Sequence, residues 1–348
     1  RVPLDMGNYP YVCARVKAKK ALLYPAEMYQ KFLNMTVAQI SRTLGEGEYR
    51  EEILALGAKY SGADLVEFAT RDNMARVYTQ VLDFSEGDLK NIVSKFIDRW
   101  DVWNIQTILR GKFYGASPSE IMDEIIPAGT CTAEFLRMLA GKDTLDEVIE
   151  SLDGTPYYEP LINARKDGED GKTIAPLEDS LYKRYYSLLL ETVHPTNEPN
   201  AHFLRFIRME IDMLNLRTLL RLKISGEKGE GFLFLDGGLE LNAHDLPSML
   251  GLEWEPLISR LKRCSFYKSI AGELAKARER GLNDLMIALE RHVLREATRH
   301  ANLHPLSVLP VLDFMVAKKN EVDNIRIIAR GRESGLDNDL IRGLLIHR

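Results

Sequence analysis

The sequence predicts an all-α fold of three tandem, pseudo-threefold-related helical repeats. Three observations predict it: a twelve-residue pattern that occurs three times, a second pattern that recurs in step with it, and apolar residues spaced for helices along most of the chain. Self-similarity at a fixed period is the signature of a repeat architecture. The first pattern reads Asp101-Val-Trp-Asn104-Ile-Gln-Thr-Ile-Leu-Arg110-Gly-Lys112, then Asp212-Met-Leu-Asn215-Leu-Arg-Thr-Leu-Leu-Arg221-Leu-Lys223, then Glu321-Val-Asp-Asn324-Ile-Arg-Ile-Ile-Ala-Arg330-Gly-Arg332. Its asparagines are 111 and 109 residues apart. The second pattern is Ile40-Ser-Arg-Thr-Leu44 before Tyr49 and Ile53, Val148-Ile-Glu-Ser-Leu152 before Tyr157 and Leu161, and Ile258-Ser-Arg-Leu261 before Phe266 and Ile270. Its leucines are 108 and 109 apart. Two patterns that hold one spacing mark folding units of a small domain's length. They divide the chain into an N-terminal segment, 1–27, and repeats at 28–135, 136–245 and 246–348.

Each repeat reads as helix. In the first, Leu65, Phe68, Ala69, Val77, Tyr78, Val81 and Leu82 fall on one stripe, followed by Leu89, Ile92, Val93, Phe96, Ile97 and Trp100 on another. Spacings of three and four residues bury one face of a helix. Helix starts are expected at Ser85 and at Ser117, where Pro118 and Glu120 follow. The middle repeat carries two hydrophilic inserts, Ala164 to Lys172 and Val193 to Asn200, where the first repeat has only Phe84-Ser-Glu-Gly87. In the third, Val308, Val311, Leu312, Met315, Val316 and Val322 restore the helical spacing. Gly231-Phe-Leu-Phe-Leu235 is the one short candidate for a strand.

Composition narrows the function. With 348 residues, 45% hydrophobic and 28% charged, the chain has ample material for a core. A net charge of -5, with both signs scattered, argues against a nucleic-acid partner, which calls for a basic patch. No apolar run approaches the roughly 18 residues of a membrane span, so no transmembrane segment is expected. Nothing in Arg1 to Met6 reads as a signal-peptide core. Cys13, Cys131 and Cys264 stand far apart, which fits buried thiols in a reducing compartment.

The repeated polar residues are the candidate functional set: Asp101, Asn104, Arg110, Asp212, Asn215, Arg221, Glu321, Asn324 and Arg330. At about 100° per residue, Asp101, Asn104, Ile105, Ile108 and Lys112 share one arc of the helix, with Gln106 and Arg110 on the other side. Asparagine is a mediocre residue for a helix interior, so three recurrences require a tertiary reason. The simpler reading is that it satisfies a buried backbone group between neighbouring helices. The sharper one is a polar surface for a partner. The arginines are expected to be partly exposed, because burial of an unpaired guanidinium is expensive. They are read as pairing with acids of the next repeat or of another protein.

Catalytic chemistry finds no support. The chain lacks GxxxxGK[ST], HExxH, GxSxG and CxxC, and Gly226-Glu-Lys-Gly229-Glu-Gly231 has no nucleotide fingerprint. Asp167-Gly-Glu-Asp170 is not spaced as a calcium loop and reads as a solvated acidic turn. His300 and His304 stand four residues apart before Pro305, straddling a helix end, with no third metal ligand evident in the sequence. No cofactor, metal or catalytic residue is assigned.

In this order the motifs resemble the C subunit of archaeal and bacterial A/V-type ATP synthases, related to the d subunit of vacuolar-type proton ATPases. Lys112-Phe-Tyr114-Gly, the Ile125-Ile-Pro-Ala-Gly129 turn with its echo Leu235-Asp-Gly-Gly-Leu239, and the opening Tyr9-Pro-Tyr11-Val-Cys-Ala-Arg15-Val-Lys-Ala18 carry the resemblance together with the signature helices. The third repeat departs from the pattern with Glu321 in place of Asp. The resemblance implies a funnel of three pseudo-symmetric helical domains. It also implies a non-catalytic rotor subunit on the cytoplasmic face of the membrane, a peripheral socket linking the central-stalk axle to the membrane proteolipid ring and transmitting torque. The competing readings are a freestanding helical-repeat adaptor for soluble partners and an enzyme with an unrecognised site.

Overall fold

The computed structural model describes residues 7–167, 173–195, 198–226 and 234–347. Every regular element among them is a helix, and none is long and apolar enough to cross a membrane. The acidic stretch 168–170, the loop residues 227–230 and positions 231–233 of the strand candidate lie outside the described residues.

In each repeat short helices precede two long ones, and a short helix, Pro118–Glu124 or Asn338–Leu344, follows the long pair of the first and third. The long pairs are Gly62–Asp83 with Gly87–Phe113, Ala175–Thr192 with Glu198–Ser225, and Asn283–Leu303 with Leu309–Glu333. The second member of each pair carries the signature. Short helices this brief need caps, since isolated turns are marginal in water. Thr36 closes a capping box with Gln39 ahead of Val37–Gly45, and Ser117 does the same with Glu120 ahead of Pro118–Glu124. Thr132 and Thr144 cap the two helices that open the middle repeat. At Ser85 the structure differs from the helix start that the sequence predicts. Its hydroxyl donates back to the Val81 carbonyl at 2.6 Å, and the next helix starts two residues later at Gly87. Asn8 holds this turn, donating to the Phe84 carbonyl at 2.9 Å and accepting from the Glu86 amide at 3.0 Å.

The cores cross the repeats. Ile105, Ile108 and Leu109 of the first signature helix pack with Leu136, Leu139, Val148 and Leu152 of the middle repeat. Leu216, Leu219 and Leu220 of the second pack with Leu257, Leu261, Phe266 and Ile270 of the third repeat. Ile325, Ile328 and Ala329 of the third return to Phe32, Leu33, Ile40, Leu44 and Tyr49 of the first. Each signature helix therefore seats in the repeat that follows it, and the last closes onto the first. Helix Leu309–Glu333 lies along Gly62–Asp83, where the Tyr78 hydroxyl donates to the Met315 carbonyl at 2.5 Å, and helix Tyr9–Ala21 packs on it as well. Each fully buried Leu, Ile or Phe contributes roughly 1.5–3 kcal/mol, so these seams bind the repeats as strongly as an ordinary core.

Candidate functional site

The three asparagines perform one task. Asn104 Nδ2 donates to the Ile126 carbonyl at 2.7 Å while its Oδ1 accepts the Ile126 amide at 2.8 Å. Asn215 clasps Leu235 in the same way, at 2.8 Å for both bonds. Asn324 clasps Ile346 at 2.9 and 3.0 Å. All three asparagines are buried. A primary amide presents one donor and one acceptor side by side, the complement of one residue's N–H and C=O. Carboxylates lack the donor and hydroxyls lack the reach. The backbone group satisfied belongs to the segment that returns after the signature helix.

The acids hold the next stretch of the same segment. Asp101 accepts from the Thr130 amide at 2.8 Å and the Cys131 amide at 3.1 Å, and Asp212 accepts from the Glu240 and Leu241 amides at 2.8 and 3.0 Å. Glycine makes the close approach possible: a Cβ at Gly129 or Gly238 would collide with the carboxylate. These glycines lie three residues past Ile126 and Leu235, so the two turns align one residue away from the register that their sequences suggest. Burial pushes both carboxyls above the usual range, against the opposing pull of the amide hydrogen bonds, and Asp212 reaches about 6. Glu321, one methylene longer, serves the third copy differently. It accepts from the Tyr24 amide and from the Tyr49 hydroxyl, both at 2.5 Å, and lies 3.3 Å from the Lys318 ammonium. Burial lowers the Lys318 pKa against the pull of Glu321 and raises that of Tyr49. The third acid thus fastens the last signature helix to the first repeat.

The arginines join neighbouring repeats. Arg110 pairs with Glu178 at 2.6 Å on helix Ala175–Thr192, and Arg330 pairs with Asp64 at 2.7 Å and Glu67 at 2.8 Å on helix Gly62–Asp83. At the junction between them the pair to the next long helix is Arg217–Glu290 at 3.1 Å, one turn earlier than Arg221. Arg221 is exposed and acts electrostatically on Asp179. Gln106, expected opposite the polar arc, is buried, because partners cover the signature helix on both sides.

Sequence reasoning missed a further tie. Arg99 meets Glu210 through two parallel hydrogen bonds of 3.0 and 2.9 Å, linking the first two signature helices. Both residues stand five positions before their repeat's asparagine, where the third copy has Lys319. The Arg99 guanidinium also covers the Phe96 ring, 3.8 Å from its centroid. A charged residue at the same place in three copies was the available signal, obscured because its sign changes.

The fold and these networks define an all-helical repeat protein whose polar signature clasps returning loops and welds each repeat to the next. The model of the ATP synthase (C/AC39) subunit family matches residues 12–344, and the chain belongs to that family. The C subunit of the A-type ATP synthase of Methanococcoides burtonii is 38% identical over 343 residues, covering 98% of this chain and 94% of the relative. Its counterpart in Archaeoglobus fulgidus is 36% identical over 346 residues, covering 98% and 97%. That of Methanosarcina acetivorans is 38% identical over 344 residues, covering 98% and 93%. The chain is thus a non-catalytic subunit of a rotary ATP synthase, and the readings as a freestanding adaptor or an enzyme are set aside.

Proposed function

We propose that the chain is the socket of the rotor, seated on the cytoplasmic face of the membrane between the proteolipid ring and the axle of the central stalk. In this reading the repeats 28–135, 136–245 and 246–348 form a funnel and superpose under rotations near one third of a turn, so that one chain caps a rotationally symmetric ring. The signature residues are its structural frame and not a reactive site. Torque passes through the protein without chemistry.

The observation that supports the reading is the closed circuit of seams, in which the last signature helix seats in the first repeat. A coupling element loses torque wherever it is compliant, and close-packed interiors have low compressibility. A closed circuit leaves no repeat joined at one side alone. The test is reconstitution of the ATP synthase with and without this chain. With it, ATP hydrolysis should drive ion transport. Without it, the catalytic head should hydrolyse ATP with no transport. Cross-linking the chain to the proteolipid ring should leave coupled turnover intact, because both turn together. Cross-linking it to a stator protein should stop turnover. Coupled transport without the chain, or arrest on cross-linking to the ring, would overturn the reading.

A further inference from the structure

Three of the seven histidines, His202, His300 and His304, gather where helix Glu198–Ser225 begins and helix Asn283–Leu303 ends, and His292 stands further back on the second helix. His202, His292 and His300 line a cavity there, and the ring of His304 packs on that of His202 with centroids 4.0 Å apart. The sequence pairs His300 with His304, but the structure separates their roles. His300 turns to Glu296 at 3.4 Å and to the Arg299 guanidinium at 3.2 Å. His304 instead meets two residues of another repeat. Glu198 and His202 stand four apart on one helix face, with Glu198 Oε1 at 3.3 Å from His202 Nε2. One ligand atom from each of Glu198, His202 and His304 lies within 4.8 Å of the other two.

We propose that Glu198, His202 and His304 bind one divalent cation of the zinc class. Imidazole nitrogen and a carboxylate oxygen are the donors such ions prefer, at about 2.0–2.2 Å. Tetrahedral geometry at those bond lengths sets neighbouring donor atoms about 3.3–3.5 Å apart. The Glu198–His202 pair already stands at that separation. His304 follows the last turn of its helix, so rotation of its side chain brings the third donor in without disturbing the helical ladder. Three protein ligands leave the fourth position to water, and the exposure of Glu198 gives the ion its entry path. The bound ion fastens the first turn of the middle repeat's signature helix to the third repeat.

The test uses the full chain stripped with EDTA and titrated with cobalt(II), followed by visible ligand-field absorption, and with zinc(II), followed by calorimetry. One ion per chain and a raised Tm are expected. His202→Ala and His304→Ala should each weaken binding by about tenfold or more, while His244→Ala and His300→Ala leave it unchanged. Where the loss of His202 impairs folding, Glu198→Gln, on an exposed side chain, should weaken binding with circular dichroism unaltered. Absence of saturable binding, or binding that survives both Glu198→Gln and His304→Ala, would overturn the site. Equal loss in His300→Ala would move it to the adjoining cavity and overturn this ligand set.

Discussion

Arg99 and Glu210 occupy equivalent places in two copies of one repeat, yet carry opposite charges and bind each other through two parallel hydrogen bonds. Equivalent positions of two neighbouring repeats thus lie side by side with opposite charge. Both side chains are largely buried, at 23% and 12% exposure. Removing one member of such a pair strands the other and costs about 3–5 kcal/mol, whereas exchanging both for apolar residues is often neutral. Arg99→Ala and Glu210→Ala are therefore each expected to lower unfolding stability by that amount, and Arg99→Met with Glu210→Leu to recover most of it. Urea unfolding of wild type, the two alanine variants and the Arg99→Ala/Glu210→Ala double variant measures the coupling. Additive losses would show that the pair is not a unit.

The asparagine clasps are expected to differ in strength. Asn215→Ala strands a buried N–H and a buried C=O, at about 1–3 kcal/mol for each group. By contrast, the Ile126 carbonyl also accepts from the Ala128 amide at 2.8 Å, and the Ile346 carbonyl from Asn320 at 3.0 Å. Asn104→Ala and Asn324→Ala then strand only the Ile126 and Ile346 amides, and each loss should be about half that of Asn215→Ala. Aspartate in these positions should not rescue, because it sets an oxygen against a carbonyl. Thermal melts of the three alanine variants rank them, and an equal loss in all three would contradict the redundant bonds at Ile126 and Ile346.

Which parts of this arrangement are legible in the sequence follows from where periodicity holds. An amide inside an apolar helix announces itself at Asn104, Asn215 and Asn324, and their task as satisfiers of buried backbone follows from helix physics. What they clasp does not, because the returning segments have no period. For that reason sequence comparison aligns the turns at Gly129 and Gly238 one residue out of register. Arg217 and Arg221 are both basic and one turn apart, so no sequence argument decides which reaches Glu290. The seam between the last signature helix and the first repeat is illegible for a different reason. It joins residues about 270 positions apart, such as Tyr49 and Glu321, and no local pattern encodes it.

Asp212 gives a pH dependence of definite sign. Burial holds its folded carboxyl near 6, above the ordinary value of 3.8. Between those values the folded state binds more protons than the unfolded chain, so this site's contribution to stability falls as pH rises through that window. Below about 4 the penalty is absent, and above about 6 it is fully present. Asp212→Asn cannot titrate, so wild-type stability measured relative to this variant should improve as pH falls from 7 to 4. A carbon-13 titration of the Asp212 carboxyl should show a midpoint near 6. A midpoint at or below 4 would show that the Glu240 and Leu241 amides outweigh burial.

The junction arginines separate a frame within the protein from a surface for a partner. Arg110, Arg217 and Arg330 each reach a glutamate on the long helix of the next repeat, Glu178, Glu290 and Glu67 in turn. All three guanidinium groups are about half exposed, and an exposed pair contributes only about 0–1 kcal/mol. A single Arg→Ala change should hence leave Tm nearly unaltered. The triple change removes one tie from every junction of a closed circuit, so the losses fall on the same cooperative unit and Tm should drop by several degrees. Added salt should shrink the difference from wild type, because it screens the pairs that wild type alone retains. A charge swap tests direction: Arg217→Glu should destabilise by placing two carboxylates together, and Glu290→Arg in the same chain should restore what it lost. If the triple variant instead keeps its Tm and fails only to assemble with the other rotor proteins, these cations face a partner, and the glutamates beside them are incidental neighbours.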